Sequence, residues 1–255
     1  MCGNLPYRAF WRALAPDGLV CAERLITSAI EGRAQENRCC AAQAARQRCR
    51  ERYVRRWSQV PKPRMIVIGA SAGGIEALQH LLFGLPRDLG AAILIVVHTA
   101  AQDGYLAEVL ERSAHMSTVR AEHGMRIDPS RIYVAPPDHH LTVVDSRVSL
   151  TRGPKVNRHR PAIDPLFESA ARSFRRQLIG VILTGYLDDG TAGLVAVKSN
   201  GGIAVVQDPK DAAIPNMPQS ALKHVSVDYC LPLSEISLLL IELVNGKRIR
   251  PNKWK

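Results

Sequence analysis

Three residue types that together do nucleophilic chemistry each follow an apolar run in this chain. "MIVIGAS" ends on Ser71, "ILIVVH" on His98, and "GVILTGYLDDG" carries Asp188 and Asp189 in a glycine-bounded loop. A serine hydroxyl is a poor nucleophile until a base takes its proton. Histidine titrates near neutrality, so it can accept that proton and return it to a leaving group. An aspartate fixes the imidazole tautomer and stabilises the imidazolium that forms. Gly73 and Gly74 let backbone approach a substrate, and nearby N–H groups can receive a developing oxyanion. "GASAG" also fits the GxSxG nucleophile elbow, although small residues after a strand are common. The serine follows the first strand, and the order Ser…His…Asp is not the Ser…Asp…His of ordinary α/β-hydrolases. Ser71 could equally hold the turn or bind an anion at a helix N-terminus.

The elements that position these residues read as alternating strands and helices. Met65–Ile68, "AAILIVVH" (91–98), "LIGVILTG" (178–185) and "GGIAVVQD" (201–208) are apolar runs of strand length. "IEALQHLL" places Ile75, Leu78, Leu81 and Leu82 on one helix face. "YLAEVLERSA", "DPLFESAARSFRRQ" and 233–244 are also helical in pattern, and "RIYVAPP" is a shorter strand. The expected fold is therefore α/β: a doubly wound, mostly parallel sheet with helices on both faces. "HLTVVDSRVSLTRG" alternates around a polar turn and predicts an antiparallel hairpin at one sheet edge. Ligands of open parallel sheets bind at the carboxyl strand ends, where Ser71, His98 and the Asp188–Asp189 loop all fall.

The 255 residues suffice for a substantial core, and a composition of 46% hydrophobic and 22% charged residues is that of an ordinary globular protein. No apolar run approaches the ~20 residues of a membrane span, and the N-terminus lacks a secretory apolar core. These features predict a cytoplasmic protein. The net charge of +11 is uneven: residues 1–63 hold twelve Lys/Arg against five Asp/Glu. Five of the six cysteines, Cys2, Cys21, Cys39, Cys40 and Cys49, lie there in no metal-ligand spacing and are read as free thiols. Two prolines in "QVPKPR" mark a boundary. The expected division is a basic, poorly ordered or helical extension (1–63), a catalytic domain (64–246) and a basic tail (247–255). The extension is a solvated arm or a binder of anionic surfaces, or else translation starts at Met65.

In order along the chain, "IGASAGG", "VVH", "YVAPPDHH", "GPKVNRHRPAID", "GVILTGYLDDGTAG" and "MPQSAL" resemble the catalytic domain of CheB, the chemotaxis protein-glutamate methylesterase. The resemblance runs from about Met65 to Leu243. It implies hydrolysis of glutamyl γ-methyl esters on chemoreceptor helices with release of methanol, together with deamidation of certain receptor glutamines. It implies Ser71 as nucleophile, His98 as base, and Asp189 rather than Asp188 as the third member. Ala72, Gly73 and the Tyr186 backbone would form the oxyanion cleft, and Arg158 and Arg160 would meet acidic receptor segments. Ala72 stands where many members have threonine or serine, Tyr186 replaces a usual methionine, and the segment after His98 lacks the usual proline while keeping an aromatic, Tyr105.

Many members also carry a receiver domain with a phosphorylatable aspartate. Residues 1–63 are about half that length and contain a single aspartate, Asp17. Control is therefore expected from a separate response regulator, or the domain is constitutively active. The proposed chemistry requires no cofactor and no metal. Adjacent His139 and His140 make a poor chelating pair on an extended segment and suit a structural or cleft-lining role. His159, between the two arginines, is a candidate to point into the cleft. Expected partners are the cytoplasmic helices of methyl-accepting receptors, with no nucleic acid. Two other classes remain open on the residues alone: a non-catalytic CheB-like scaffold, and a nucleotide binder using "GASAGG", which lacks GxGxxG and GK[ST].

Overall fold

Alternation decides which layer each strand residue serves. The computed structural model describes residues 64–98 and 105–247, so the expected basic extension and nearly all of the tail lie outside the described residues. Strand β1 (Met65–Ala70) is buried along its whole length. Its Ile66, Ile68 and Ala70 join one hydrophobic cluster, while Met65 and Val67 join another. Strands β2 (Ala92–Val97) and β7 (Leu178–Ile182) divide in the same way, Ile93/Ile95/Val97 and Ile179/Val181 against Leu94/Val96 and Leu178/Ile182. Two-sided burial is what a parallel sheet between helix layers demands, and each such side chain contributes ~1.5–3 kcal/mol.

Helices α1 (Gly74–Phe83), α2 (Leu106–Glu111) and α6 (Leu233–Val244) pack on the first cluster. Helices α3 (Ile163–Phe174), α4 (Thr191–Ser199) and α5 (Asn216–His224) pack on the second. The sheet is completed by β3 (Ser117–Arg120), β4 (Arg131–Val134), β8 (Ile203–Gln207) and β9 (Tyr229–Leu231). Its order is β3-β4-β2-β1-β7-β8-β9, with every pairing parallel. The chain leaves β1 toward β2 and later returns on its other side with β7. The switch in winding direction therefore falls at β1, which in an open α/β sheet is where ligands bind.

The hairpin β5 (His140–Val144) and β6 (Arg147–Thr151) forms its own two-stranded antiparallel sheet instead of extending the main one. Its turn residues Asp145 and Ser146 are both left-handed (φ 47° and 59°), the geometry that matches strand twist in a two-residue hairpin. Leu141, Val143 and Val148 supply an apolar face to the α3 layer, and Val143 N–H donates to Ser169 Oγ at 3.0 Å. That face buries itself on a helix, so the hairpin needs no place in the ladder. The main sheet's own edges are the short β3 and β9. No helix among the described residues is long and apolar enough to cross a membrane.

Candidate active site

Ser71 and His98 occupy the first positions past the ends of adjacent strands. The parallel ladder continues one step beyond the strands: His98 N–H donates to Ala70 O at 3.2 Å, and Ser71 N–H to Thr184 O at 3.0 Å. After Ser71 the chain turns sharply, with Gly74 N–H donating to Ser71 O at 2.8 Å and Gly73 at φ 72° capping α1. A Cβ on Gly73 would lie 2.9 Å from Ala213 Cβ, so conformation and space both select glycine. Ser71 thus stands beside the N-terminus of α1, where the helix dipole favours developing negative charge. Thr184, 1% exposed, ties this loop down by donating to Ala72 O at 3.0 Å and accepting from Ile214 N–H at 2.8 Å.

The loop after β7 brings the acid. Asp189 is buried, whereas Asp188 is exposed. Asp189 Oδ2 lies 2.7 Å from His98 Nε2 and also accepts Ile163 N–H at 2.7 Å. Its Oδ1 accepts the Asn157 side-chain amide at 2.7 Å, Gly190 N–H at 3.0 Å and Asp164 N–H at 3.3 Å. Burial alone would raise this carboxyl. The His98 ring, the Ile163 N–H and the Asn157 amide outweigh burial and hold it below its ordinary range. An ionised carboxylate only accepts, so the proton between the two groups sits on His98 Nε2. The lone pair is then on Nδ1, which is buried and takes no hydrogen-bond partner among the described residues. The ring is used in the opposite sense to the usual serine triad, in which Nδ1 faces the aspartate.

Helices α3 and α4 cap each other through their aspartates. The first N–H groups of α3, at Ile163 and Asp164, are orphan donors by position, and Asp189 accepts both. Asp164 in turn accepts Gly193 N–H of α4 at 2.6 Å. Gly193 permits this closeness, because a Cβ there would lie 3.1 Å from Asp164 Oδ1 and against Phe167 Cβ. Asp164 is itself buried. Desolvation raises its carboxyl to about 6, helped by the nearby charges of Asp189 and Glu168 and opposed by the Gly193 and Asn157 donors.

A second two-residue hairpin finishes the site. Val156 and His159 exchange both backbone hydrogen bonds (3.1 and 2.8 Å), and Asn157 and Arg158 between them are left-handed at φ 49° and 69°. The turn aims the Asn157 amide at the two carboxylates and lays His159 flat on His98, with ring centroids 3.6 Å apart and planes 4° from parallel. Burial and the neighbouring His98 push the His159 ring below its ordinary value. Neutral stacking avoids two like charges face to face.

Ser71, Ala72 and Gly73 follow β1, His98 follows β2, and Tyr186 and Asp189 lie in the loop after β7, so all six fall at the carboxyl ends of three adjacent strands. The structure separates the two arginines. Arg158 is exposed on the turn, whereas Arg160 donates to Asp138 from Nε (2.7 Å) and Nη2 (2.5 Å) and to Gly153 O from Nη1 (2.7 Å). That guanidinium holds the Asp138 carboxyl below its ordinary range. His140 is buried, with Nε2 on Pro154 O at 2.9 Å, and His139 Nδ1 lies 2.9 Å from Pro137 O. Asn157, Asp164 and Thr184 were not singled out from sequence. The left-handed preference of Asn in "VNRH" was the one available signal.

A buried Asp–His pair beside a strand-end serine at the switch point of a parallel α/β sheet is an arrangement suited to nucleophilic-serine chemistry. Comparison with known proteins narrows this further. The CheB methylesterase family model matches residues 66–240, and the chain belongs to that family. A Leptospira interrogans protein, named provisionally as a protein-glutamate methylesterase/protein-glutamine glutaminase, is 47% identical over 180 residues, which cover 70% of this chain and 93% of that one. The Salmonella typhimurium protein-glutamate methylesterase/protein-glutamine glutaminase is 35% identical over 192 residues, 73% of this chain and 55% of that one. The crystal structure of the Thermotoga maritima CheB methylesterase catalytic domain superposes with a TM-score of 0.69 at 33% identity, covering 72% of this chain and all of that one.

Proposed function

We propose that residues 64–246 form a methylesterase domain that demethylates glutamyl γ-methyl esters of chemoreceptors and deamidates receptor glutamines. Ser71 Oγ attacks the γ-carbonyl carbon while His98 Nδ1 takes the hydroxyl proton. The tetrahedral oxyanion is received by the backbone N–H groups of Ala72 and Gly73, since Ser71 N–H is given to Thr184 O, and by that of Tyr186. Gly185 N–H is already given to Ile214 O at 3.0 Å, so Tyr186 offers the next amide along this loop. Collapse of the intermediate expels methoxide, which leaves as methanol with the proton from His98. Water, deprotonated by the same nitrogen, then hydrolyses the glutamyl–serine ester to free glutamate. For a glutamine the leaving group is ammonia. The exposed Arg158, on the rim of the site, meets acidic receptor segments.

The observation that carries this reading is the 2.7 Å His98–Asp189 contact, with Nδ1 left open on the ring that neighbours Ser71 across the β1–β2 ladder. The test is release of labelled methanol from methyl-esterified receptor membranes. Wild type is expected to turn over, and Ser71→Ala to lose at least about 10³-fold. No release by wild type across a panel of receptors would return the non-catalytic scaffold reading.

A further inference from the structure

We infer that Asn157 and Asp164 are positioning residues for the esterase reaction, forming with Asp189 a two-carboxylate unit bridged by one amide that sets the charge His98 faces. Both hydrogens of the Asn157 amide are used, one on Asp189 Oδ1 at 2.7 Å and one on Asp164 Oδ2 at 2.7 Å. Among the described residues, Asn157 is the only side chain that donates to both carboxylates. The bridge withdraws charge from the Asp189 oxygen that does not touch His98. It also fixes the carboxylate plane, so that Oδ2 stays on the ring. Asp164 orients the bridge in turn, since its other oxygen is held by Gly193 N–H. The left-handed backbone at Asn157 costs asparagine little, and it points the amide inward from an exposed turn.

The surroundings give the unit a defined electrical sense. The charged or titratable groups facing it are His98 from the end of β2, His159 from the 156–159 hairpin, and Glu168 on α3 itself. Removing the Asn157 amide leaves more negative charge on Asp189 and stabilises the His98 imidazolium. Removing the Asp164 charge does the reverse. Asp164 is raised to about 6, so its charge is present at neutral pH and is lost on mild acidification. A merely structural role for either residue would not move His98 in opposite directions.

The inference rests on the esterase reading, and the experiment separates the two. The full-length protein, Asn157→Gly and Asp164→Asn are compared by NMR titration of the His98 imidazole, which needs no substrate. Kinetics of methanol release are measured in parallel. Glycine keeps the left-handed turn, so Asn157→Gly removes the amide without straining the backbone. The expected result is a His98 midpoint raised by about half a unit or more in Asn157→Gly and lowered in Asp164→Asn. At neutral pH kcat of Asn157→Gly should fall about tenfold, with KM within about twofold. An unchanged His98 midpoint in Asn157→Gly overturns the inference, whatever the kinetics show. Absence of turnover by wild type overturns the esterase reading and leaves the titration to decide the positioning role.

Discussion

The two ends of the site are built differently. At the acid end, Asp189 is 2% exposed and accepts hydrogen bonds from His98, Ile163, Asp164, Gly190 and Asn157. At the nucleophile end, Ser71 is only half-buried, and the loop beside it presents Tyr186 (56% exposed) and Leu187 (53% exposed) to solvent. In the proposed mechanism the base and its acid are therefore organised before substrate arrives, which is where preorganisation helps most. On the proposed reading, the oxyanion and leaving-group side is left open for a receptor segment. Leu187 sharpens the contrast, because a branched residue at φ 65° carries backbone strain.

The comparison breaks most decisively at the acid. Asp189→Asn should lower kcat by about 10³–10⁴-fold through the wrong imidazole tautomer, and the lost cap on α3 should cost about 3 kcal/mol in urea unfolding. Next comes Gly185→Ala at the open end. Its added Cβ would sit 2.7 Å from Ser71 Cβ and against Met217 Sδ, and displacing Ser71 should cost about 10²-fold in kcat with little change in KM. Leu187→Gly relieves the positive φ and should raise stability by about 0.5–1 kcal/mol, seen as a higher Tm. The same change should weaken KM for receptor segments several-fold (about threefold) while sparing small esters, since only the exposed apolar contact is lost.

A further expected effect concerns pH. The folded value of Asp164 is raised to about 6, so its contribution to stability is full below pH 3.8 and is lost as pH rises toward 6. The lowered Asp189 works oppositely: its contribution is present above pH 3.8 and is lost as pH falls through its folded value. Urea midpoints measured from pH 4 to 7 should show Asp164 costing wild type about 1–2 kcal/mol that Asp164→Asn does not lose.

Much of this architecture is legible in the sequence because it rests on long apolar runs. Strands β2, β7 and β8 fall within the expected runs, β1 continues two residues past the expected Met65–Ile68, and α6 occupies the expected 233–244. Ser71 and His98 are legible as the first polar residues after such runs and the Asp188–Asp189 loop as an acidic one, whereas the choice of Asp189 comes from the family resemblance. Short β3 and β9 were not, because strands of four and three residues carry too little pattern to separate from loop. The hairpin's pairing was legible but its placement was not, since alternation marks an apolar face without saying whether a helix or a sheet covers it. Asp164 read as one more polar residue at a helix start. Its role depends on Gly193 and Asn157, twenty-nine residues later and seven earlier, which only the fold brings together. The pairing of Arg160 with Asp138 was not legible for the same reason, since the two lie twenty-two residues apart.

The central claim is that His98 and Asp189 activate Ser71. It is tested most directly by reaction with a fluorophosphonate, followed by peptide mass spectrometry, on wild type, Ser71→Ala and Asp189→Asn. The account predicts a single adduct on Ser71 in wild type, none in Ser71→Ala, and labelling slowed by at least about 10²-fold in Asp189→Asn. An unlabelled Ser71 in wild type, or labelling of Asp189→Asn at the wild-type rate, would contradict it.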